Sequence, residues 1–290
     1  MRDQAEKLRI KMSENLGTLG RSIAVVSGKG GVGKSNFSTN FALMLTKLGK
    51  KVVILDMDIG MGNVNILIGR NAQYNLKDYL VGEVSLSDVI LDGPNNLKYI
   101  SGGSGLSSVI QWSPKMFEYL INAFETLQRN FDYILFDMGA GATNWSLDLL
   151  TSIEEIIVIS TTEPTSVTDA YSMMKYIHLR DQTKKFYLVV NRAFSTEEGK
   201  DTGARLKNTM MKFLEKEIFL LGSLPEDPSV RRAVIDQVPF SISFPDAAIS
   251  KTLQSIVVRF MNYEIEEVYA PNQSNSFLKK LKNIFSKGRG

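Results

Sequence analysis

Eight residues near the start of the chain, Gly28-Lys29-Gly30-Gly31-Val32-Gly33-Lys34-Ser35, have the types and the spacing to hold a polyphosphate. The frame is a glycine, four residues, then glycine, lysine and a hydroxyl residue. An apolar run, residues 22–27, precedes it and a helical pattern over 34–48 follows, the context that a phosphate loop requires. Glycines let successive backbone N–H groups turn inward onto phosphate oxygens, and the N-terminus of the following helix adds partial positive charge. Lys34 is placed to reach the β- and γ-phosphates of a nucleoside triphosphate, and Ser35 to ligate Mg²⁺. Without a ligand the same glycines would be no more than a tight strand-to-helix turn.

Hydrolysis of such a ligand needs a carboxylate to orient water and cations to stabilise the charge that develops. Two apolar runs end in candidates. Leu55-Asp56-Met57-Asp58-Ile59-Gly60 closes the second strand pattern, and Tyr133-Ile134-Leu135-Phe136-Asp137-Met138-Gly139-Ala140-Gly141 closes a later one. A strand ending in aspartate brings a carboxylate to an Mg²⁺ shell, and Gly139 and Gly141 supply the backbone freedom of a moving segment. Turn chemistry after a strand is the plainer reading of the Asp56–Asp58 pair, more so for Asp56.

The elements that must position these groups alternate along the chain. Strands are expected at 22–27, 51–56, 97–100, 133–137, 156–160, 186–191 and 219–224. Helices are expected at 34–48, 114–129, 166–180, 202–216 and 246–263. Alternation of this kind predicts an α/β fold with a doubly wound, mostly parallel sheet flanked by helices, whose ligands bind at the carboxyl ends of the strands. Residues 22–265 form this domain. Residues 1–21 precede it as a polar helical segment, 266–275 (ending in the APNQSN of 270–275) read as a linker, and 276–290 as a separate helix with a basic tail.

That last segment has its own pattern. On a helix, Phe277, Leu278, Leu281, Ile284 and Phe285 share one face, with Lys279, Lys280 and Lys282 outside it. An apolar face beside lysines suits a helix lying in an anionic membrane interface, and it is too short to span. The same face could dock on the protein's own body or in a partner's groove. The 290 residues include no cysteine, which fits a reducing compartment and excludes a cysteine-held metal or cluster. Net charge is +3; the five basic residues of 276–290 account for it, and without them the remainder is −2. A mildly acidic body is not the broad basic face of a nucleic-acid binder. No apolar run is long enough to cross a membrane and residues 1–20 lack a secretory signal's apolar core. The expectation is a cytoplasmic protein, reversibly peripheral on the inner face of the cell membrane. His178, the single histidine, and Trp112 and Trp145 carry packing readings only.

Lys29 exceeds what the phosphate-loop pattern requires. Lys-Gly-Gly-Val-Gly-Lys-Ser resembles the deviant phosphate loop of the MinD/ParA ATPases. The resemblance implies ATP and Mg²⁺ bound by Gly28 through Asn36, hydrolysis to ADP and phosphate, and an ATP-dependent homodimer in which Lys29 contacts the partner's nucleotide. Asp58 would then position the attacking water from a first switch, and Asp137 would join Ser35 in the metal shell from a second. Asn191, Arg192, Pro225, Glu226 and Asp227 fall where that family holds adenine, and an asparagine amide can read a base edge. Asp3-Gln4-Ala5-Glu6-Lys7-Leu8-Arg9 further resembles the start of the FlhG (YlxH, FleN) family of MinD-like ATPases, which control flagellar placement and number. That likeness implies that Asp3, Gln4, Leu8 and Arg9 stimulate the signal-recognition-particle-type GTPase FlhF. It also leaves flagellar switch-complex components as possible partners, with no sequence-specific nucleic acid.

Overall fold

Strands buried on both faces lose the alternation of polar and apolar residues, and three here have every residue buried: Val52–Met57, Tyr133–Met138 and Glu155–Thr161. The computed structural model describes residues 19–58, 62–102, 113–140 and 144–265, with 277–278 and 280–282; at 144–145 and 264–265 it describes the backbone alone. In chain order the elements are β1 (Arg21–Val26), α1 (Lys34–Lys47), β2 (Val52–Met57), α2 (Val64–Leu67), α3 (Leu76–Val81), α4 (Leu86–Val89), β3 (Leu91–Asp92) and β4 (Lys98–Ile100). There follow α5 (Pro114–Asn130), β5 (Tyr133–Met138), α6 (Asn144–Ser152), β6 (Glu155–Thr161), α7 (Pro164–Arg180), β7 (Lys185–Ala193), α8 (Thr196–Leu214), β8 (Phe219–Pro225), α9 (Pro228–Asp236), α10 (Phe240–Ser243) and α11 (Ala248–Ile265).

The strands form one sheet in the order β3-β4-β2-β5-β1-β6-β7-β8, parallel except where β3 meets β4. The expected doubly wound α/β architecture is the one found. Two apolar layers cover the sheet. One packs residues of α3, α5, α6, α7 and α8, among them Tyr79, Phe124, Leu150, Met174 and Met210. The other packs α1, α9, α10 and α11, among them Phe37, Phe41, Ala233, Phe240 and Phe260.

Helix α8 begins at Thr196, six residues before the start expected from spacing. The Ser195 hydroxyl caps it by accepting the Glu198 N–H at 3.1 Å, and Glu198 reaches back to the Phe194 N–H at 2.8 Å, a reciprocal capping arrangement. Gly199 and Gly203 obscure this start in the sequence, since glycine weakens a helix interior. Their reason is packing: a Cβ on Gly199 would stand 2.4 Å from the Ser223 Cβ on β8, and one on Gly203 2.8 Å from Leu220.

Candidate functional site

Three segments converge at the carboxyl ends of β1, β2 and β5. The phosphate loop leaves β1 and feeds α1, with Gly31 and Gly33 at φ +78° and +89°, a conformation that glycine adopts without penalty. Gly33 is also hemmed in: a Cβ there would meet the Asn191 side-chain nitrogen at 2.4 Å. Behind the loop, Lys34 is buried and donates to Asp137 Oδ1 at 2.9 Å. Ser38, one helical turn on, donates to the same oxygen at 3.0 Å. Spacing did not single out Ser38, although its place four residues after Lys34 puts both on one helix face.

Asp137 Oδ2 is buried and has no hydrogen-bond partner among the described residues. Buried polar atoms without partners are rare and point to a missing ligand or ion. With the Ser35 hydroxyl at the head of α1, this oxygen fits the sparse protein contribution to an Mg²⁺ that takes its other ligands from phosphate and water. The residues present therefore fit the metal.

Asp56 and Asp137 are register partners on β2 and β5, but their roles differ. Asp56 Oδ1 accepts the Asp58 N–H at 3.1 Å, and Oδ2 accepts those of Asn63 at 2.8 Å and Val64 at 3.1 Å. It brackets the segment after β2 from both sides, the turn chemistry that its position suggested. Burial, and next the Asp137 carboxylate, push its pKa up to about 7. Asp58 stands at the meeting of the two candidate switches: a Cβ on Gly139 would lie 3.4 Å from its Oδ1. Ala140 in turn lies 3.7 Å from where a Cβ on Gly30 would be. Phosphate loop, Asp58 and the Gly139 segment thus touch; Gly60 and Gly141 lie outside the described residues.

Lys29 does not face the loop. Its ammonium lies 3.1 Å from Glu163 Oε2 and 3.3 Å from Thr165 Oγ1 at the start of α7, two residues that the sequence did not flag. Asn191 donates its amide to the Val32 carbonyl at 2.8 Å, so the side chain braces the loop and its Oδ1 is left to accept. Arg192, at φ +59°, pairs with Glu226 at 2.7 Å. Pro225 ends β8. Asp227 is committed elsewhere: it caps α9 through the Ser229 N–H at 2.9 Å and accepts the Ile249 N–H at 3.3 Å. Of the expected adenine contacts, Asn191, Arg192 and Glu226 form a group at the strand ends, and Asp227 holds helices together.

The tail is docked on the body. Residues 277–278 and 280–282 are helical. Phe277 and Leu281 are 3% and 0% exposed and Leu278 is partly buried, all within the core layer on the α5 side of the sheet. The Phe277 ring lies 5.6 Å from that of Phe124 on α5 and 6.0 Å from that of Phe136 on β5. Lys280 pairs with Asp181 at 3.1 Å and Lys282 with Glu125 at 2.6 Å. The apolar face expected to meet lipid therefore covers protein here, the docking that its amphipathic pattern also permitted. Lys279, Ile284 and Phe285, and Asp3, Gln4, Leu8 and Arg9, lie outside the described residues.

Comparison with known proteins gives the family. The ParA family model, described as NUBPL iron-transfer P-loop NTPase, matches residues 18–261. The antiactivator FleN of Pseudomonas aeruginosa is 35% identical over 81% of this chain and 84% of its own. The flagellum site-determining protein YlxH of Helicobacter pylori is 30% identical over 81% of this chain and 79% of its own. In fold, the septum site-determining protein MinD of Pyrococcus horikoshii, solved with Mg-ADP, aligns with a TM-score of 0.70 at 23% identity, covering 87% of this chain and 98% of that one. The phosphate loop, the buried Lys34–Asp137 pair and these relatives agree: the chain belongs to the ParA family of P-loop NTPases, as a MinD-like ATPase related to FleN and YlxH.

Proposed function

We propose that this ATPase is an ATP-dependent dimerisation and membrane-binding switch governing flagellar placement and number, and that residues 1–21 stimulate an FlhF-type GTPase. The flagellar assignment rests on the names of FleN and YlxH. The switch rests on one observation: Phe277 packs on Phe136, the residue beside Asp137. β5 therefore carries the metal-shell carboxylate at its end and the floor of the tail groove next to it.

In this reading Lys34 exchanges Asp137 for the β- and γ-phosphates, and the loop N–H groups take the remaining oxygens. Ser35 and Asp137 would hold Mg²⁺, which when bound would supply charge neutralisation at the phosphates. Asp58 orients the attacking water. Asn191 Oδ1 is suited to accept the adenine amino group, a donor that guanine does not present at that position. Lys29 leaves Glu163 and Thr165 for the nucleotide of a second copy. Its present pair is exposed on both sides and worth about 0–1 kcal/mol, so release is cheap. Movement of β5 and the Gly139 segment loosens the groove, and two freed tails on one dimer bind an anionic bilayer together. A single short amphipathic helix holds weakly and reversibly, while pairing raises avidity by roughly 10²–10⁴.

Liposome sedimentation with ADP and with ATP, with and without residues 276–290, tests the switch. ATP-dependent, tail-dependent binding is expected, and equal binding with both nucleotides would remove the coupling. A peptide of residues 1–20 should accelerate GTP hydrolysis by the FlhF-type partner, less so with Gln4→Ala. A second reading, a MinD-type division-site regulator or a ParA-type partition ATPase, draws on the shared fold. Pull-down on lipid against DNA in the presence of ATP separates the latter.

A further inference from the structure

The far edge of the sheet holds a cavity of about 310 Å³ along β8, between α8 on one face and α11 on the other, within the lower range for small-molecule sites. Its floor is Leu220, Leu221 and Ile256; its polar groups are Lys200, Ser223, Thr252, Ser255 and Arg259. Two cationic and three hydroxyl residues line it, Ser255 with its hydroxyl donated to the Lys251 carbonyl at 3.2 Å, and no acidic side chain lines it among the described residues. The backbone makes the space. β8 slips register against β7 between Leu188 and Val189, so Leu221 bulges and Gly222 takes φ +152°. A Cβ on Gly222 would enter the cavity 3.1 Å from Ile256 and 3.6 Å from an Arg259 nitrogen. The bulged Leu221 carbonyl accepts from Arg259, which fixes the guanidinium at the cavity wall. The same bond and bulge blunt β8 as a template for another strand, so the space suits a small ligand better than an added peptide strand.

We propose that this cavity is an effector site for a small molecule bearing a phosphate monoester or carboxylate on an apolar body. Arg259 and Lys200 hold the anion, the Ser223 and Thr252 hydroxyls donate to it, and Leu220, Leu221 and Ile256 take the apolar part. β8 runs from it to Pro225 and Glu226, whose carboxylate holds Arg192. Gly199 at its rim abuts Ala193, with 3.3 Å from a Cβ there to the Ala193 Cβ. A ligand that stiffens β8 and the head of α8 therefore bears on the end of β7, which carries Asn191 and Arg192.

The test uses the full chain saturated with Mg-ADP, so that anions cannot enter the phosphate loop. Backbone amide shifts of Gly199, Gly222 and Ser223 are followed during titration with inorganic phosphate, phenyl phosphate and benzoate, against chloride at matched ionic strength. Saturable shifts with phenyl phosphate or benzoate, stronger than with inorganic phosphate, are expected, and which of the two binds tells phosphate from carboxylate. Lys200→Glu, an exposed change that leaves the strand untouched, should weaken binding roughly tenfold or more, as loss of a charged partner does. Arg259→Gln should abolish it, with unfolding controlled by the melting temperature. Shifts that follow chloride, fail to saturate, or ignore Lys200→Glu would overturn the proposal.

Discussion

The nucleotide centre and the tail groove lie on the same strand, yet they are built in opposite ways. At the centre the chemistry is local: eight consecutive residues set the loop, and the aspartates sit at the ends of strands. The tail groove is assembled from α5, β5 and the segment around Asp181, and its occupant comes from the end of the chain. A contiguous motif carries its ligand preference in its own backbone. An amphipathic helix carries only a demand to bury one face, and bilayer and protein both meet that demand.

The comparison can be broken from the centre outward. Lys34→Ala removes the main phosphate cation, and nucleotide affinity should fall by roughly a hundredfold or more, about 3 kcal/mol. Fluorescent-nucleotide titration reads this, and unchanged affinity would mean that the loop does not hold the phosphates through Lys34. Asp58→Ala should slow ATP hydrolysis by roughly 10²–10⁴ while ATP affinity stays within a few-fold, so that ATP-bound dimers accumulate in size-exclusion runs; wild-type turnover would strip Asp58 of its role.

Phe124→Ala opens a hole beneath Phe277, and large-to-small changes at buried phenylalanine cost roughly 3–5 kcal/mol. Part of that loss should appear as faster hydrogen exchange over 277–282 with nucleotide affinity unchanged, which would set the groove apart from the centre. Leu281→Glu should free the tail equally and also abolish liposome binding. Exchange unaltered in both variants would mean that the docked arrangement is not what protects the segment.

The smallest effects concern the ion pairs at the groove. Lys280–Asp181 and Lys282–Glu125 are partly exposed and contribute about 0–1 kcal/mol each, so high salt alone should speed tail exchange only a few-fold. Burial pushes the Asp181 carboxyl up, but hydrogen bonds from Thr183 and the Lys184 and Lys280 ammonium groups outweigh it and hold it well below its ordinary value of 3.8. A depressed carboxyl contributes stability above its unfolded pKa and loses it as pH falls through the folded one. Lys184 is itself pushed down to about 8, chiefly by burial, so the Asp181 contribution should be constant from about pH 5 to 7 and, on the acid side, fade only in strong acid. A tail released between pH 7 and pH 5, after correction for intrinsic exchange, would assign its docking to other groups.

The sequence by itself determined the sheet, the phosphate loop and the positions of Lys34, Ser35, Asp58 and Asp137, because glycine spacing, strand hydrophobicity and strand-end carboxylates act through neighbours a few residues apart. Tertiary structure decided what depends on distant partners. It parked Lys29 on Glu163 and Thr165, 134 and 136 residues away, and turned the Asn191 amide onto Val32. It used Asp227 to pin α9 to α11 and moved the start of α8 past two glycines that fit only against β8. It also laid Phe277 and Leu281 in a groove of the body. Burial of an apolar face is demanded by composition; which surface buries it is a competition between whole surfaces, and only the folded chain supplies one of the competitors.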